Sequence, residues 1–235
     1  MNALNNGLKF LLEKYEVNKD VEIINEAQVK INGVNMPLLP WRWERRLMEL
    51  KNLAQGTAAS GALENISVLR VAHITKKNSD LEKILKRELD ICEFIIGSKA
   101  AEIFAIGDLE RTINVIMKLE NGVVCTVEVS ATLACDAKDI DKHEIIAEKG
   151  VACDRVVDTQ VPQSSIYLFT DNKLPQEYQD VDAELYGLNV DEAAIVRQSF
   201  DLAANDYTLD TDAKHLDKLM ETVKGSLQNV ENIIL

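Results

Sequence analysis

Three histidines, four cysteines and ten glycines carry most of the chemistry that this 235-residue chain could perform. His73, His143 and His215 are the side chains that change charge near neutral pH, but they lie far apart, with no H-E-x-x-H pair. A metal centre or a nucleophilic triad is therefore not expected. His73 ends the apolar run ISVLRVAHI, where a strand would meet connecting loops, and is retained as a candidate site residue beside its commoner use as a satisfied structural imidazole. His143, at the start of a strand, and His215, in the first turn of a helix, read as ordinary surface or half-buried residues. Cys92, Cys125, Cys135 and Cys153 form no C-x-x-C pair and read as reduced thiols acting as small core residues.

No two of the ten glycines are separated by a single residue, so a G-x-G-x-x-G dinucleotide fingerprint is impossible. Gly56 and Gly61 have the spacing of a phosphate loop, yet Ala62-Leu63 stands where Lys-Ser/Thr would have to reach phosphates and magnesium. No cofactor is expected to bind this chain alone. Trp41, Arg42, Trp43, Arg45 and Arg46 make a basic aromatic cluster that would suit base stacking, but a net charge of −13 repels phosphate backbones. Helix-start packing, with the arginines paired to acidic neighbours, is the preferred reading, and nucleic acid is not an expected partner. No apolar run is long enough to span a bilayer, and MNALNNGLKF lacks the pattern of a leader; no membrane association and a cytoplasmic location are expected.

These side chains can meet only if the intervening elements bring them together. Leu4, Leu8, Leu11, Leu12 and Tyr15 have helical spacing, and VEII and QVKI, followed by Asn32-Gly33, read as a hairpin. This helix and hairpin form an appendage over residues 1–36; the main domain covers 37–235, with the boundary near Pro37. A helix follows over WRWERRLMELKNLA, stopped by Gly56, and then the strand ISVLRVAHI. Ser79 and Glu82 have capping-box spacing, and Leu81, Leu85, Leu89, Cys92 and Ile96 share one face of the helix that Gly97 ends.

AEIFAIG, TINVIMKLE, VVCTVEVSATL, HEIIAEKG and SSIYLFT then follow one another with short connections, which argues for antiparallel pairing. Asn121-Gly122 predicts a type I′ turn. In the longest strand Cys125, Val127 and Val129 point one way and Thr126, Glu128 and Ser130 the other. Between Asp171 and Glu192 seven acidic residues stand against the single base Lys173, which predicts an exposed loop. Helices over 191–205 and 213–230 should cover the packed face of the sheet. The fold class is α+β: a large, mostly antiparallel open β-sheet with helices on one face.

The order of these motifs resembles the C-terminal domain of the Gfo/Idh/MocA family of oxidoreductases. PWRWERRLMELKNLAQGTAASGALENISVLRVAH is similar to that family's helix, glycine turn and first sheet strand. RELDICEFIIG resembles its H-x-x-D-x-x-x-x-L-x-G helix, LENGVVCTVEVSATL its hairpin strand, and Glu148-Lys149-Gly150 the end of its next strand. The resemblance implies an NAD- or NADP-dependent enzyme whose Rossmann half carries an E-K-P motif. Neither the Rossmann half nor E-K-P occurs in these residues. The positions at which the family places a catalytic Asp and His are held here by Lys83 and Arg87, and an always-charged guanidinium cannot exchange a hydroxyl proton as imidazole does. The implied function is an oxidoreductase-like substrate-side domain without independent catalysis. A sugar-like small molecule would lie near His73, Lys83 and Arg87 on the polar sheet face. Two further expectations follow from the resemblance: a homodimer through the open sheet face, where Ile116 and Val124 point outward, and a separate Rossmann-domain partner. A purely structural dimerisation module is the alternative.

Overall fold

The computed structural model describes residues 2–56, 63–154, 165–170, 173–179 and 187–235. They divide into two compact units, one of residues 1–48 and 180–215, the other of residues 49–179 and 216–235. A break near Pro37 is therefore not where compactness divides the chain. The N-terminal elements are too short to bury their apolar faces alone, and a segment distant in sequence supplies the missing surface.

In the first unit, helix α1 (Asn2–Lys14) buries Leu4 and Leu8, and strands β1 (Val21–Asn25), β2 (Gln28–Ile31) and β3 (Val34–Pro37) form a three-stranded antiparallel sheet. The third strand adds to the expected hairpin because Gly33, at φ 84°, turns the chain back on itself. Helix α4 (Val190–Asn205) packs against α1, β1 and the 3-10 turn Pro40–Trp43. Its Gln198 carboxamide, fully buried, closes on the backbone of Leu39 in both directions, at 2.6 and 3.0 Å. The expectation that this helix covers the large sheet is thus corrected. Arg42 pairs with Asp212 at 3.0 Å and Arg46 with Glu44 at 2.8 Å, the acidic pairing read for the basic aromatic cluster. Helix α2 (Arg45–Ala54) follows the turn.

The second unit is a nine-stranded sheet. Its strands are β4 (Ile66–Lys76), β5 (Ala100–Gly107), β6 (Thr112–Leu119), β7 (Val124–Leu133), β8 (Ile140–Ala147), β9 (Gly150–Cys153), β10 (Ser165–Thr170), β11 (Lys173–Gln179) and β12 (Ile233–Ile234). The spatial order is β11-β10-β9-β8-β4-β7-β6-β5-β12, antiparallel throughout except for the parallel pair β4 and β7. Beta-branched residues alternate along these strands, and Leu69, Val71, Cys125, Val127, Val129 and Ile145 are buried on one face. Helix α3 (Leu81–Ile96) lies over this face against β4 and β7, and α5 (Asp210–Asn229) reaches it through the buried Ser226, whose hydroxyl accepts from Ala105 N–H at 2.9 Å.

Several local expectations shift. Helix α3 is capped by Asp80 rather than Ser79: its carboxylate accepts from Lys83 N–H at 3.0 Å, while Ser79 bonds the Thr75 hydroxyl. In the β6–β7 turn only Gly122 has positive φ, at 86°, and its N–H donates to Leu119, so the turn is not type I′. Lys173–Gln179 is strand β11 rather than loop; residues 171–172 and 180–186 lie outside the described residues. Cys92, Cys125 and Cys153 are buried free thiols, but Cys135 is exposed.

Candidate functional site

His73 does not end a strand at a sheet edge. Strand β4 continues to Lys76 and runs through the middle of the sheet between β7 and β8. Along β4 the buried face carries Leu69, Val71, His73 and Thr75, so the imidazole points beneath α3. On β8 the same face carries Asp141, His143 and Ile145, and the register sets Asp141 opposite His73 and His143 opposite Val71. Helix α3 lowers Glu88 onto the pair, with Arg87 beside it. Asp154, directly after β9, closes the far side: its Oδ1 accepts from the backbone N–H of His143 at 2.7 Å.

The side chains form one chain of charge-assisted contacts. Glu88 Oε1 accepts from His73 Nδ1 at 2.8 Å and from Arg87 Nη1, while its Oε2 accepts from His143 Nε2 at 3.0 Å. His143 Nδ1 donates to Asp154 Oδ2 at 2.7 Å. Arg87 Nη2 reaches Asp141 Oδ2 at 3.2 Å. The side chains of Glu88, His143 and Asp154 are fully buried, whereas His73, Arg87 and Asp141 keep 13, 16 and 13% exposure and form the solvent side of the cluster.

This geometry fixes protonation. Burial pushes the Glu88 pKa up, but the Arg87 guanidinium and the hydrogen bonds from His143 and His73 outweigh both burial and the Asp141 charge, holding the carboxyl well below its usual range. Burial would drive His143 toward its neutral form. The charges of Asp154 and Asp141 and the bonds to Asp154 and Glu88 reverse this and raise it to about 10. With a carboxylate on each ring nitrogen, His143 is an imidazolium that pins Glu88. His73 is raised as well: burial opposes, and the bond to Glu88 and the charges of Asp141 and Glu88 prevail over Arg87. An ionised Glu88 makes His73 Nδ1 the donor, which leaves Nε2 as the position that can exchange a proton with a ligand.

The structure therefore brings His73 and Arg87 together through Glu88. Lys83 lies one turn earlier, exposed at the start of α3. The reading that placed these residues on the polar sheet face is corrected, since His73 and Arg87 sit on the helix-covered face. The reading of His143 as a surface or half-buried residue is corrected too. Glu88, Asp141 and Asp154 were not singled out, and nothing in their local sequence marks them, because the cluster exists only across the β4, β8 and β9 register.

The polar face carries a different feature. A shallow groove of about 460 Å³ is lined by Arg70, Asn114, Ile116, Glu128, Lys142 and Glu144, among others.

Among the described residues, the N-termini of α3 and α4 do not suit a pyrophosphate. The β4–α3 turn has no glycine, and the N-terminus of α3 is filled by the Asp80 carboxylate. The N-terminus of α4 is closed by the Asn189 and Glu192 capping box, with Asp191 beside it. Both present negative charge where a pyrophosphate would need bare amides.

No family model matches the chain, and no curated protein does. Solved structures do. A levoglucosan dehydrogenase in complex with NADH and levoglucosan is 13% identical with a TM-score of 0.66, the match covering 85% of this chain and 66% of that one. An oxidoreductase domain protein from Kribbella flavida is 13% identical with a TM-score of 0.63, covering 83 and 64%. A super-repressor mutant of Gal80p from Saccharomyces cerevisiae is 12% identical with a TM-score of 0.66, covering 85 and 64%. The chain thus spans about two thirds or less of the length of each. Among the described residues no helix is long and apolar enough to cross a membrane. In its nine-stranded sheet and the helices beside it, the chain has the fold of the C-terminal domain of Gfo/Idh/MocA-type oxidoreductases.

Proposed function

We propose that this chain is the substrate-side domain of an NAD(P)-dependent oxidoreductase of the Gfo/Idh/MocA type. It binds a small polar, sugar-like ligand beside His73 and Arg87 and does not turn over a nicotinamide cofactor on its own. The observation that carries this reading is the buried His73–Glu88–His143–Asp154 chain, which ends at two partly exposed donors, His73 and Arg87. Arg87 supplies a fixed positive charge beside His73, which supplies a ring nitrogen able to give or take a proton. Both are held by the buried polar network of Glu88, His143 and Asp154 and by Asp141, as a binding constellation requires. The solved neighbours include levoglucosan dehydrogenase holding NADH together with levoglucosan and, in a second structure, with L-sorbose, which points to the ligand class. The acidic helix N-termini and the glycine spacing support a cofactor held by a separate Rossmann domain.

The test is a thermal-shift screen of the intact chain with monosaccharides, anhydrosugars and polyols. At least one should raise Tm, because a ligand at about 100 times its Kd stabilises by roughly 2.7 kcal/mol, and Arg87→Ala should abolish the shift. A panel without any stabiliser, or a shift that Arg87→Ala leaves intact, contradicts the reading.

A second role is favoured by the open sheet face. We propose that it joins two copies of the chain. Ile106 and Ile116 are 56 and 49% exposed there, and Arg70 and Lys142 lie beside Glu128 and Glu144, a mixture of signs that a twofold-related copy would pair.

A further inference from the structure

We propose that His73, Glu88 and Asp141 bind a single divalent transition-metal ion of the Zn²⁺ or Mn²⁺ class. The inference goes beyond the sugar-binding reading and does not depend on it. The three residues come from β4, α3 and β8, so the fold rather than a local motif assembles them, and one donor atom of each lies within 4.8 Å of the others. His73 Nδ1, which would release the proton it donates to Glu88 when an ion binds, is 2.8 Å from Glu88 Oε1 and 3.9 Å from Asp141 Oδ1. Donors bound to a shared ion at about 2.0–2.2 Å stand roughly 3.0–3.5 Å apart, which these two distances bracket.

The outer partner of Glu88 has the form that orients a metal ligand: its Oε2 is held by His143 Nε2, itself backed by Asp154. One imidazole with two carboxylates and no thiolate suits borderline ions such as Zn²⁺ or Mn²⁺ and gives no preference to Ca²⁺ or Mg²⁺.

Arg87 makes the proposal testable against a merely structural role. Its Nη1 already sits on Glu88 Oε1, the same oxygen the ion would take, so the guanidinium competes with the metal. Removing a structural contact should weaken the site, whereas removing a competitor should tighten it.

The experiment is calorimetric titration of Zn²⁺ into the intact chain carrying Cys135→Ser, which removes the exposed thiol. One ion per chain should bind with micromolar or tighter affinity and raise Tm, and EDTA should reverse the rise. His73→Ala and Asp141→Asn should each weaken binding by about 10-fold or more, by analogy with the 10–100-fold effects of outer-shell changes, while Arg87→Gln should tighten it. The proposal is overturned by absence of saturable zinc uptake in the folded background protein, by uptake unchanged in His73→Ala and Asp141→Asn, or by weaker binding in Arg87→Gln. Should His73→Ala not fold by circular dichroism, the stoichiometry of the background protein and the direction of the Arg87→Gln effect decide alone.

Discussion

Glu88 is a carboxylate with no exposure, surrounded by three cationic or proton-donating neighbours, and its ionised state organises every other group at the site. Burying a charge is costly unless it is paired, and breaking such a pair strands the survivor. Asp154→Ala should therefore cost about 3–5 kcal/mol, read as a lower urea midpoint, because it strips the His143 imidazolium of its closest anion; a loss under about 1 kcal/mol would show that the network is not tensioned in this way. The pH dependence follows with its sign. His143 has a folded pKa of about 10 against an ordinary 6.5, so its contribution is complete below pH 6.5 and fades as pH rises toward 10. Glu88 is lowered, so its contribution is present above pH 4.5 and fades as pH falls. In EDTA, stability should plateau near pH 5–6.5 and decline by a few kcal/mol on the alkaline side. Stability that rises between pH 7 and 10 would contradict the assignment of His143 as imidazolium. Little of this was legible beforehand. His73 was picked out by type and strand, and Arg87 through the resemblance. His143 looked ordinary because Asp154 reaches it only through β8–β9 pairing.

At the scale of elements, α3 is the part that the sequence specified best and the one that positions Arg87 and Glu88. Its apolar face, its start near Ser79 and its stop at Gly97 were all readable from spacing, although the cap moved to Asp80, whose carboxylate reaches Lys83 N–H at 3.0 Å. Gly97 has φ 72°, and a Cβ there would meet Gln55 Nε2 at 2.8 Å. Gln55 in turn donates to the last carbonyls of α3, Phe94 and Ile95, both at 3.2 Å. Gly97→Ala should thus cost about 1–2 kcal/mol from the left-handed backbone, with a further loss as Gln55 is displaced. Asp80→Ala should cost about 1 kcal/mol. Thermal melts check both, and an unchanged Tm for Gly97→Ala would contradict the C-cap assignment. The strands were legible through alternation, because one face of each is buried. Their order was not: the parallel β4–β7 pair and the placement of β8 beside β4 depend on contacts far apart in sequence.

For the whole molecule, the open face of the nine-stranded sheet and the acidic helix N-termini make opposite predictions about what the chain attracts. The face should gather a second copy: light scattering should return twice the chain mass, and Ile116→Glu, at a position 49% exposed, should return it to a folded monomer by circular dichroism. A monomer at micromolar concentration in the unaltered protein would contradict the dimer. The helix ends should reject a dinucleotide. Fluorescence titration of NADH into the isolated chain, with and without added sugar, tests the central claim most directly: the substrate-side reading predicts no saturable binding through the micromolar range, and a micromolar Kd accompanied by sugar oxidation would contradict it.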